Sequence, residues 1–372
     1  MPSFKSHNFV WCPSFNALRQ KYFRIHHKVC LLLIYLGSQA RLVRAVDKNA
    51  ALPSGYPHRL KTKPMTFHFW APHATAGAVQ IIFSLREFFS KLERYGFQIS
   101  VSDELPTASV DVLVSFKAIP PSGCSSYSVL LICDQAELFW SELRVFDEVI
   151  VTSSYELQLL IGYRHPSVSM ISEFEPSWNI EKGRLRLQLP EGSRSKVFWH
   201  GGHYSFNELE PYLPIIESLM DDGDCDGLVI VSGEQAETTY DLGTIPVWHF
   251  PWSYANLSRA ASECRLALLP ARRKLKHSFL KPASRVRCAF SLGIYALGDG
   301  RTPEVRRFAS KVGAKVLTGN LKSDAEMIRS CWYNSSLLET VEKAISEIER
   351  NHSQVAIESM WLDWFERTAR KL

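Results

Sequence analysis

The sequence lacks the patterns that mark several large classes of protein. Its eight cysteines form no CxxC pair and no regular framework, so we expect reduced thiols rather than disulfides or a zinc site. No GxGxxG follows the first strand-like run of either half of the chain, and P-loop spacing is missing, which argues against NAD enzymes and P-loop NTPases. The apolar run at 29–37 has nine residues and is too short to span a bilayer.

Composition and charge predict a globular chain with an unusual N-terminal extension. The 372 residues are 46% hydrophobic, which is enough for two domains with full cores. The net charge of +5 is uneven, because residues 1–64 carry eleven Lys or Arg and one acid, and the remainder has a net charge of −5. Since phosphate-binding surfaces need a basic patch on the folded part, nucleic acid is not expected as a partner.

Residues 1–64 form the basic extension, which we expect to be poorly ordered or to precede a working start near Met65. The alternative is a signal peptide, because basic residues at 21–28 precede the apolar run and Ser38-Gln39-Ala40 resembles a cleavage site. An extension that is poorly ordered or precedes the working start predicts a cytoplasmic protein, either free or bound to the inner face of the membrane.

From Met65 onward, apolar strand-like runs alternate with helical patterns, which is typical of parallel α/β architecture. A stretch rich in Glu, Pro, Gly, Arg and Ser separates two groups of such runs. The pattern predicts a Rossmann-like domain at 65–172, a linker at 173–192, a second Rossmann-like domain at 193–345 and a helical tail at 346–372. Two such domains that face each other form a cleft at the carboxyl ends of their strands.

Two short segments of the second half could bind an anion. Lys281 and Arg285 are four residues apart, so at a helix start they would share one face with free backbone N–H groups and suit a diphosphate. The other interpretation is a solvated basic helix end. Gly201-Gly202 follows a strand-like run, and the pair either lets the backbone approach a phosphate, with His203 near the cleft, or makes a tight turn that needs positive φ.

These segments resemble motifs of GT-B glycosyltransferases of the family-4 type. In the family's K-S-P-N-R…E-A-x-A-x-G stretch, the positions of Lys, Asn, Arg and Gly are taken here by Lys281, Ser284, Arg285 and Gly293. Residues 146–154, 198–203 and 251–270 resemble, respectively, the end of the family's first domain, the glycine turn of its donor domain and its base-binding region. The resemblance implies an α/β GT-B fold, with two facing Rossmann-like domains, a cleft between them and a final helix that returns to the first domain.

The resemblance also implies an activity. It is the transfer of a hexose-type sugar from a nucleotide-diphosphate sugar to a glycan or lipid-linked acceptor, as in polysaccharide biosynthesis, with retention and without a metal or a separate cofactor. Lys281 and Arg285 would neutralise the diphosphate as catalytic groups. The other donor-side candidates are Gly201, Gly202, His203, Ser284 and Glu304, and the acceptor-side candidates are His73, Gly77 and Asp134.

Two positions depart from the family pattern. Cys288 and Leu280 stand where the family has the two Glu residues of its E-x7-E pattern, one of which grips the donor ribose, and Glu304 is the candidate replacement. The alternatives are therefore a non-catalytic protein that binds a nucleotide or glycan, and a nucleotide-sugar epimerase. The basic run at 272–276 also fits an anionic acceptor or peripheral contact with a membrane face.

Overall fold

Two six-stranded parallel sheets organise the chain in the computed structural model, which describes residues 64–72, 86–132, 142–162, 164–188, 194–233, 242–271 and 280–372. The strands of the first sheet are β1 (Met65–Trp70), β2 (Phe97–Ser102), β3 (Val110–Phe116), β4 (Ser125–Ile132), β5 (Glu148–Val151) and β6 (Val168–Met170). Those of the second are β7 (Lys196–Gly201), β8 (Gly227–Ser232), β9 (Val247–Pro251), β10 (Cys264–Leu269), β11 (Tyr295–Asp299) and β12 (Val316–Leu317).

Ten α-helices lie in the described residues. They are α1 (Arg86–Lys91), α2 (Ser154–Gly162), α3 (Ser177–Leu187), α4 (Leu213–Asp221), α5 (Tyr254–Ala261), α6 (Ser284–Ser291), α7 (Pro303–Val312), α8 (Leu321–Trp332), α9 (Leu337–His352) and α10 (Gln354–Lys371). Among these described helices, none has the length and apolar character needed to cross a membrane.

The central strands of each sheet are apolar runs that are buried on both faces, whereas edge strands such as β2 and β9 are partly exposed. The first sheet has the order β2-β1-β3-β4-β5-β6, and the second has the order β12-β11-β10-β7-β8-β9, with every neighbouring pair parallel. In β5, the consecutive residues Val149, Ile150 and Val151 are all fully buried, as expected when helices cover both faces of a parallel sheet. The order of the second sheet is that of the doubly wound dinucleotide-binding fold.

The segment at 173–192, which its composition predicts as a linker, contains a helix. Helix α3 occupies Ser177–Leu187, and Gly183 within it is buried. An ideal Cβ on Gly183 would lie 2.1 Å from the carbonyl oxygen of Ser291, so this glycine permits close packing of α3 on the end of α6. Glycine and arginine give the segment the composition of a linker, although Gly183 and Arg186 are buried in α3 and contact the end of α6.

Helix α10 completes the core of the first sheet. Trp361, Trp364 and Phe365 are buried in one cluster with the aromatic residues of β1, and the Phe67 and Phe365 ring centroids are 4.8 Å apart. The buried carboxylate of Glu148 at the start of β5 accepts hydrogen bonds from the Trp364 indole, at 3.1 Å, and from Lys371 Nζ, also at 3.1 Å. The last helix is thus joined to the first sheet by packing and by a charged contact.

Candidate functional site

Strand β7 ends at the glycine pair, and its last residue lies against Arg285. An ideal Cβ on Gly201 would be 3.2 Å from the guanidinium carbon of Arg285, so a larger residue would push that side chain away. Gly202 has φ −64° and ψ 140°, which any residue adopts, so the interpretation as a turn with positive φ is wrong. His203 begins a short 3₁₀ helix, His203–Glu208, and its side chain lies outside the described residues.

Arg285 is held in the first turn of α6 by groups in β7 and in the segment that follows it. Its Nε donates to the carbonyl oxygen of His200 at 2.9 Å, and its Nη1 lies 3.3 Å from a carboxylate oxygen of Glu208. The guanidinium carbon is 5.4 Å from the centre of the Trp199 ring, a cation–π distance. The side chain is still 29% exposed, so the charge is fixed in place and also reachable from solvent.

His200 is a neutral structural partner of that arginine. Its Nε2 lies 3.0 Å from the carbonyl oxygen of Arg285. Burial, and then the positive charge of Arg285, lower the pKa of His200 to about 3. A neutral ring facing a carbonyl oxygen must carry its proton on Nε2, so β7 and the start of α6 are joined by two hydrogen bonds of opposite direction.

The other residues of the basic motif lie close to Arg285 in the chain. Helix α6 begins at Ser284, so Lys281 precedes the helix and does not share a helical face with Arg285, contrary to the expectation from their spacing. Lys281 and Ser284 are both half-buried. The basic run at 272–276 lies outside the described residues.

Cys288 stands at the position of the family's ribose-binding glutamate, and it is buried beneath the segment that joins the two sheets. Burial, and then the negative charge of Glu175, raise the pKa of the Cys288 thiol well above its ordinary value. Glu175 itself is buried, with a carboxylate oxygen 4.0 Å from Arg287 Nε. Burial is the first cause that raises the pKa of Glu175, to about 8, against the lowering effect of Arg287. Sequence reasoning missed this carboxylate, because a Glu beside Pro in a polar segment gives no sign of burial.

A pH-dependent stability is expected from Glu175. Because its folded-state pKa of about 8 lies above the ordinary 4.5, the folded chain binds this proton more tightly than the unfolded chain. Its contribution to the free energy of unfolding is therefore complete below about pH 4.5 and is lost as pH rises through 8. Glu175→Gln removes this loss, so the variant should gain up to about 1.4 kcal/mol per pH unit relative to wild type within that window.

Urea unfolding at about pH 5 and about pH 8 measures that gain. Glu181→Gln, at an exposed position of α3, is the matched control and should show no change with pH relative to wild type. A Glu175→Gln variant whose stability relative to wild type is the same at both pH values would contradict the raised pKa.

Glu304 does not have a free carboxylate in this structure. One oxygen accepts hydrogen bonds from Ser154 Oγ at 2.5 Å and from the backbone N–H of Tyr155 at 3.1 Å, and the other accepts from Arg307 at 2.9 Å. Its side chain is 7% exposed. The carboxylate caps helix α2. Binding of a donor ribose by Glu304 stays a prediction, and it would require these hydrogen bonds to break.

Two further polar pairs lie at the carboxyl ends of strands in the second sheet, and sequence reasoning found neither. Ser232 Oγ at the end of β8 is 2.8 Å from His249 Nε2 in β9. Asp299 at the end of β11 accepts from Arg301 Nε at 2.8 Å. The acceptor-side candidates His73, Gly77 and Asp134 lie outside the described residues, so the structure neither brings them together nor separates them.

The two doubly wound parallel sheets, with a basic helix start at the carboxyl edge of the second, define a GT-B fold. The sequence matches no protein-family model, and no curated protein is significantly similar to it. Solved structures do match the fold, at sequence identities too low to show more than that. They include a glycosyltransferase from Rickettsia africae, with a TM-score of 0.60 and 9% identity over 84% of this chain and 100% of that one.

Two other matches were solved with ligands. HepE from Anabaena, in complex with UDP and glucose, has a TM-score of 0.56 and 13% identity over 82% of this chain and 100% of that one. A TarM mutant from S. aureus, in complex with fondaparinux, α-GlcNAc-glycerol and UDP, has a TM-score of 0.51 and 12% identity over 77% of this chain. The match spans 58% of the length of TarM.

Proposed function

We propose that the protein is a glycosyltransferase that moves a sugar from a nucleotide-diphosphate sugar to a glycan or lipid-linked acceptor. The observation that carries the proposal is the placement of Arg285, whose side chain is 29% exposed and is fixed at the start of α6 beside the end of β7. Open α/β sheets bind nucleotides at the carboxyl ends of their strands, and a helix start adds backbone N–H groups that favour an anion. The GT-B fold, seen with UDP and glucose in HepE, supports the same substrate class.

The chemistry expected of this site is stabilisation of a leaving diphosphate. As the bond between sugar and diphosphate breaks, negative charge grows on the phosphate oxygen that leaves. Arg285 has a planar fork and Lys281 a compact charge, and both would oppose that growing charge. A diphosphate that binds Arg285 Nη1 would take the place of the Glu208 carboxylate. With two cations in this role the transfer would not require a metal ion, and retention of configuration is part of the proposal.

Binding without transfer is the second candidate, and one observation favours it. Cys288 stands at the position of the family's ribose-binding carboxylate and is buried beneath the segment that carries Glu175. A ribose diol would therefore find neither a carboxylate nor open space at that position. Such a protein would bind a nucleotide or a glycan and release no product.

Nucleotide binding and nucleotide release from a panel of sugar nucleotides separate these candidates. The loss of a charge-assisted contact of about 1.5–3 kcal/mol should weaken binding in Arg285→Ala about tenfold or more. Arg285→Lys keeps the charge but loses the fork and should be intermediate. Arg306→Ala, at an exposed position of α7, is the matched control and should behave as wild type.

The outcomes are distinct. Release of nucleotide that Arg285→Ala abolishes supports transfer, and thermal stabilisation by nucleotide without release, even with candidate acceptors, supports binding alone. A wild-type protein that responds to no nucleotide would rule out both candidates. Urea unfolding of each variant shows whether Arg285→Ala acts on the site or on the fold, since Glu208 and His200 also depend on this side chain.

A further inference from the structure

Leu280 belongs to the second half of the chain but packs in the core of the first sheet. It is 5% exposed, and every other buried member of its hydrophobic cluster lies between residues 130 and 160. Those members come from β4, β5, α2 and the turn before β5, and include Val149, Val151 and Leu159. The backbone carbonyl of Leu280 also accepts a hydrogen bond from Ser153 Oγ at 3.2 Å. A single side chain therefore anchors the segment before α6 in the first domain.

Glu304 makes a second contact to the same part of the first sheet. Its carboxylate accepts from Ser154 Oγ and from the backbone N–H of Tyr155, both in the first turn of α2. The first N–H groups of a helix have no partner within the helix, and a carboxylate there also interacts favourably with the helix dipole. Ser153 Oγ caps the N–H of Glu156 at 3.1 Å, and a side chain at the start of α7 supplies the acceptor for the N–H of Tyr155.

Both contacts meet at the residues that follow β5, and they come from two different parts of the second domain: the segment before α6 and the first turn of α7. Leu280 precedes α6, and Glu304 follows β11. Lys281, one of the two cations of the proposed donor site, is the next residue after Leu280 and shares its backbone. Where the Leu280 side chain is seated therefore determines where the Lys281 backbone lies.

We propose that Leu280 and Glu304 form an interdomain latch that holds the two sheets closed and thereby positions Lys281 for the donor. Leu280 acts by apolar burial, and Glu304 acts by capping α2. Both are positioning residues, since neither needs to touch the substrate. When the latch opens, the second sheet loses its attachment to α2, and the Lys281 backbone is released with it.

Hydrogen–deuterium exchange of peptides that cover 152–162 tests the latch without any ligand. Glu304→Ala should speed exchange at the start of α2 about fivefold to tenfold, because the N–H of Tyr155 loses its acceptor. Leu280→Ala should speed exchange in the same peptides, and Leu280→Met, which refills the volume, should restore protection. Glu339→Ala removes an exposed first-turn glutamate of α9 and should leave these peptides unchanged.

Nucleotide affinity tests the positioning role, and this part rests on the proposed function. If Leu280→Ala reduces the fraction of closed protein, the apparent dissociation constant for a sugar nucleotide should rise about fivefold, and Leu280→Met should restore it. Adding Glu304→Ala to Leu280→Ala should then weaken binding more than Glu304→Ala does alone, because the closed fraction is already reduced and each further loss of closure appears in full in the apparent dissociation constant.

The possible results separate this proposal from the proposed function. Unchanged exchange at 152–162 in Glu304→Ala and in Leu280→Ala, at unchanged stability to urea, would overturn the latch. A wild-type protein that binds no sugar nucleotide but shows the expected exchange would overturn the donor site and leave the latch standing. If an alanine variant fails to fold, Glu304→Gln, which keeps one acceptor oxygen, and Leu280→Met are used in the same exchange experiment. The expected result is wild-type protection in Leu280→Met and partial loss of protection in Glu304→Gln.

Discussion

Gly183→Ala is expected to lower the free energy of unfolding by about 3 kcal/mol, although alanine is normally the better helix former by about 1 kcal/mol. The added methyl group would lie 2.1 Å from the carbonyl oxygen of Ser291 and 2.9 Å from the backbone nitrogen of Gly293. Both are backbone atoms at the end of α6, so no side chain can move aside. Helices α3 and α6 would have to separate, and their buried surface would be lost with them.

Gly162→Ala is the matched control, because Gly162 also lies in a helix and nothing lies within 4 Å of its Cβ position. Alanine there should be neutral or stabilising by up to about 1 kcal/mol. Urea unfolding of the two variants measures the difference in sign. Two variants that are equally stable would show that α3 does not pack closely on the end of α6.

Trp364→Ala is expected to lower the free energy of unfolding by about 4 kcal/mol. The indole is fully buried, with ring centroids 5.8 Å from Phe67 and 5.1 Å from Phe365. Its removal would leave a large cavity between α10 and the first sheet, and the buried carboxylate of Glu148 would lose one of its hydrogen-bond donors.

Two further variants separate the contributions that the Trp364 ring and its N–H group make to the stability of the protein. Trp364→Phe keeps most of the apolar contact and loses only the indole N–H, so it should cost about 1–3 kcal/mol. Trp178→Ala, at a tryptophan that is 44% exposed on α3, should cost about 1 kcal/mol or less. Chemical denaturation provides the measurement, and a Trp364→Ala variant no less stable than Trp178→Ala would exclude α10 as part of the core.

Most strands of the fold could be predicted from the sequence, because a buried parallel strand is a continuous apolar run. The two-residue strand β12 was missed, since two residues are too few to form a pattern. Helix α3 was missed for a different reason, because its glycine and arginines make it look like a linker. The order of the strands in each sheet depends on pairings between distant segments, and the resemblance to a known fold, rather than periodicity, indicated the architecture.

The candidate site was predictable only in part. The motif around Arg285 predicted a cation at a helix start, and the structure also places the Arg285 side chain against Gly201 at the end of β7. Glu208 and Glu175 were missed as partners because they are far away in the sequence, and only the tertiary structure brings them to Arg285 and Cys288. Glu304 drew attention through its place after a strand, but its hydrogen bonds to α2 could not be read from one sequence.

The position of α10 also has a consequence for biosynthesis. Trp361, Trp364 and Phe365 complete the core of the first sheet, yet the ribosome makes them after every strand of both sheets. Domains often fold in order from the N-terminus as they emerge, but the aromatic face of this first sheet stays uncovered until α10 has been synthesised. A chain interrupted within α10 would therefore expose Phe67 and Phe69 to the cell, and chaperones or proteases would meet it before it could fold.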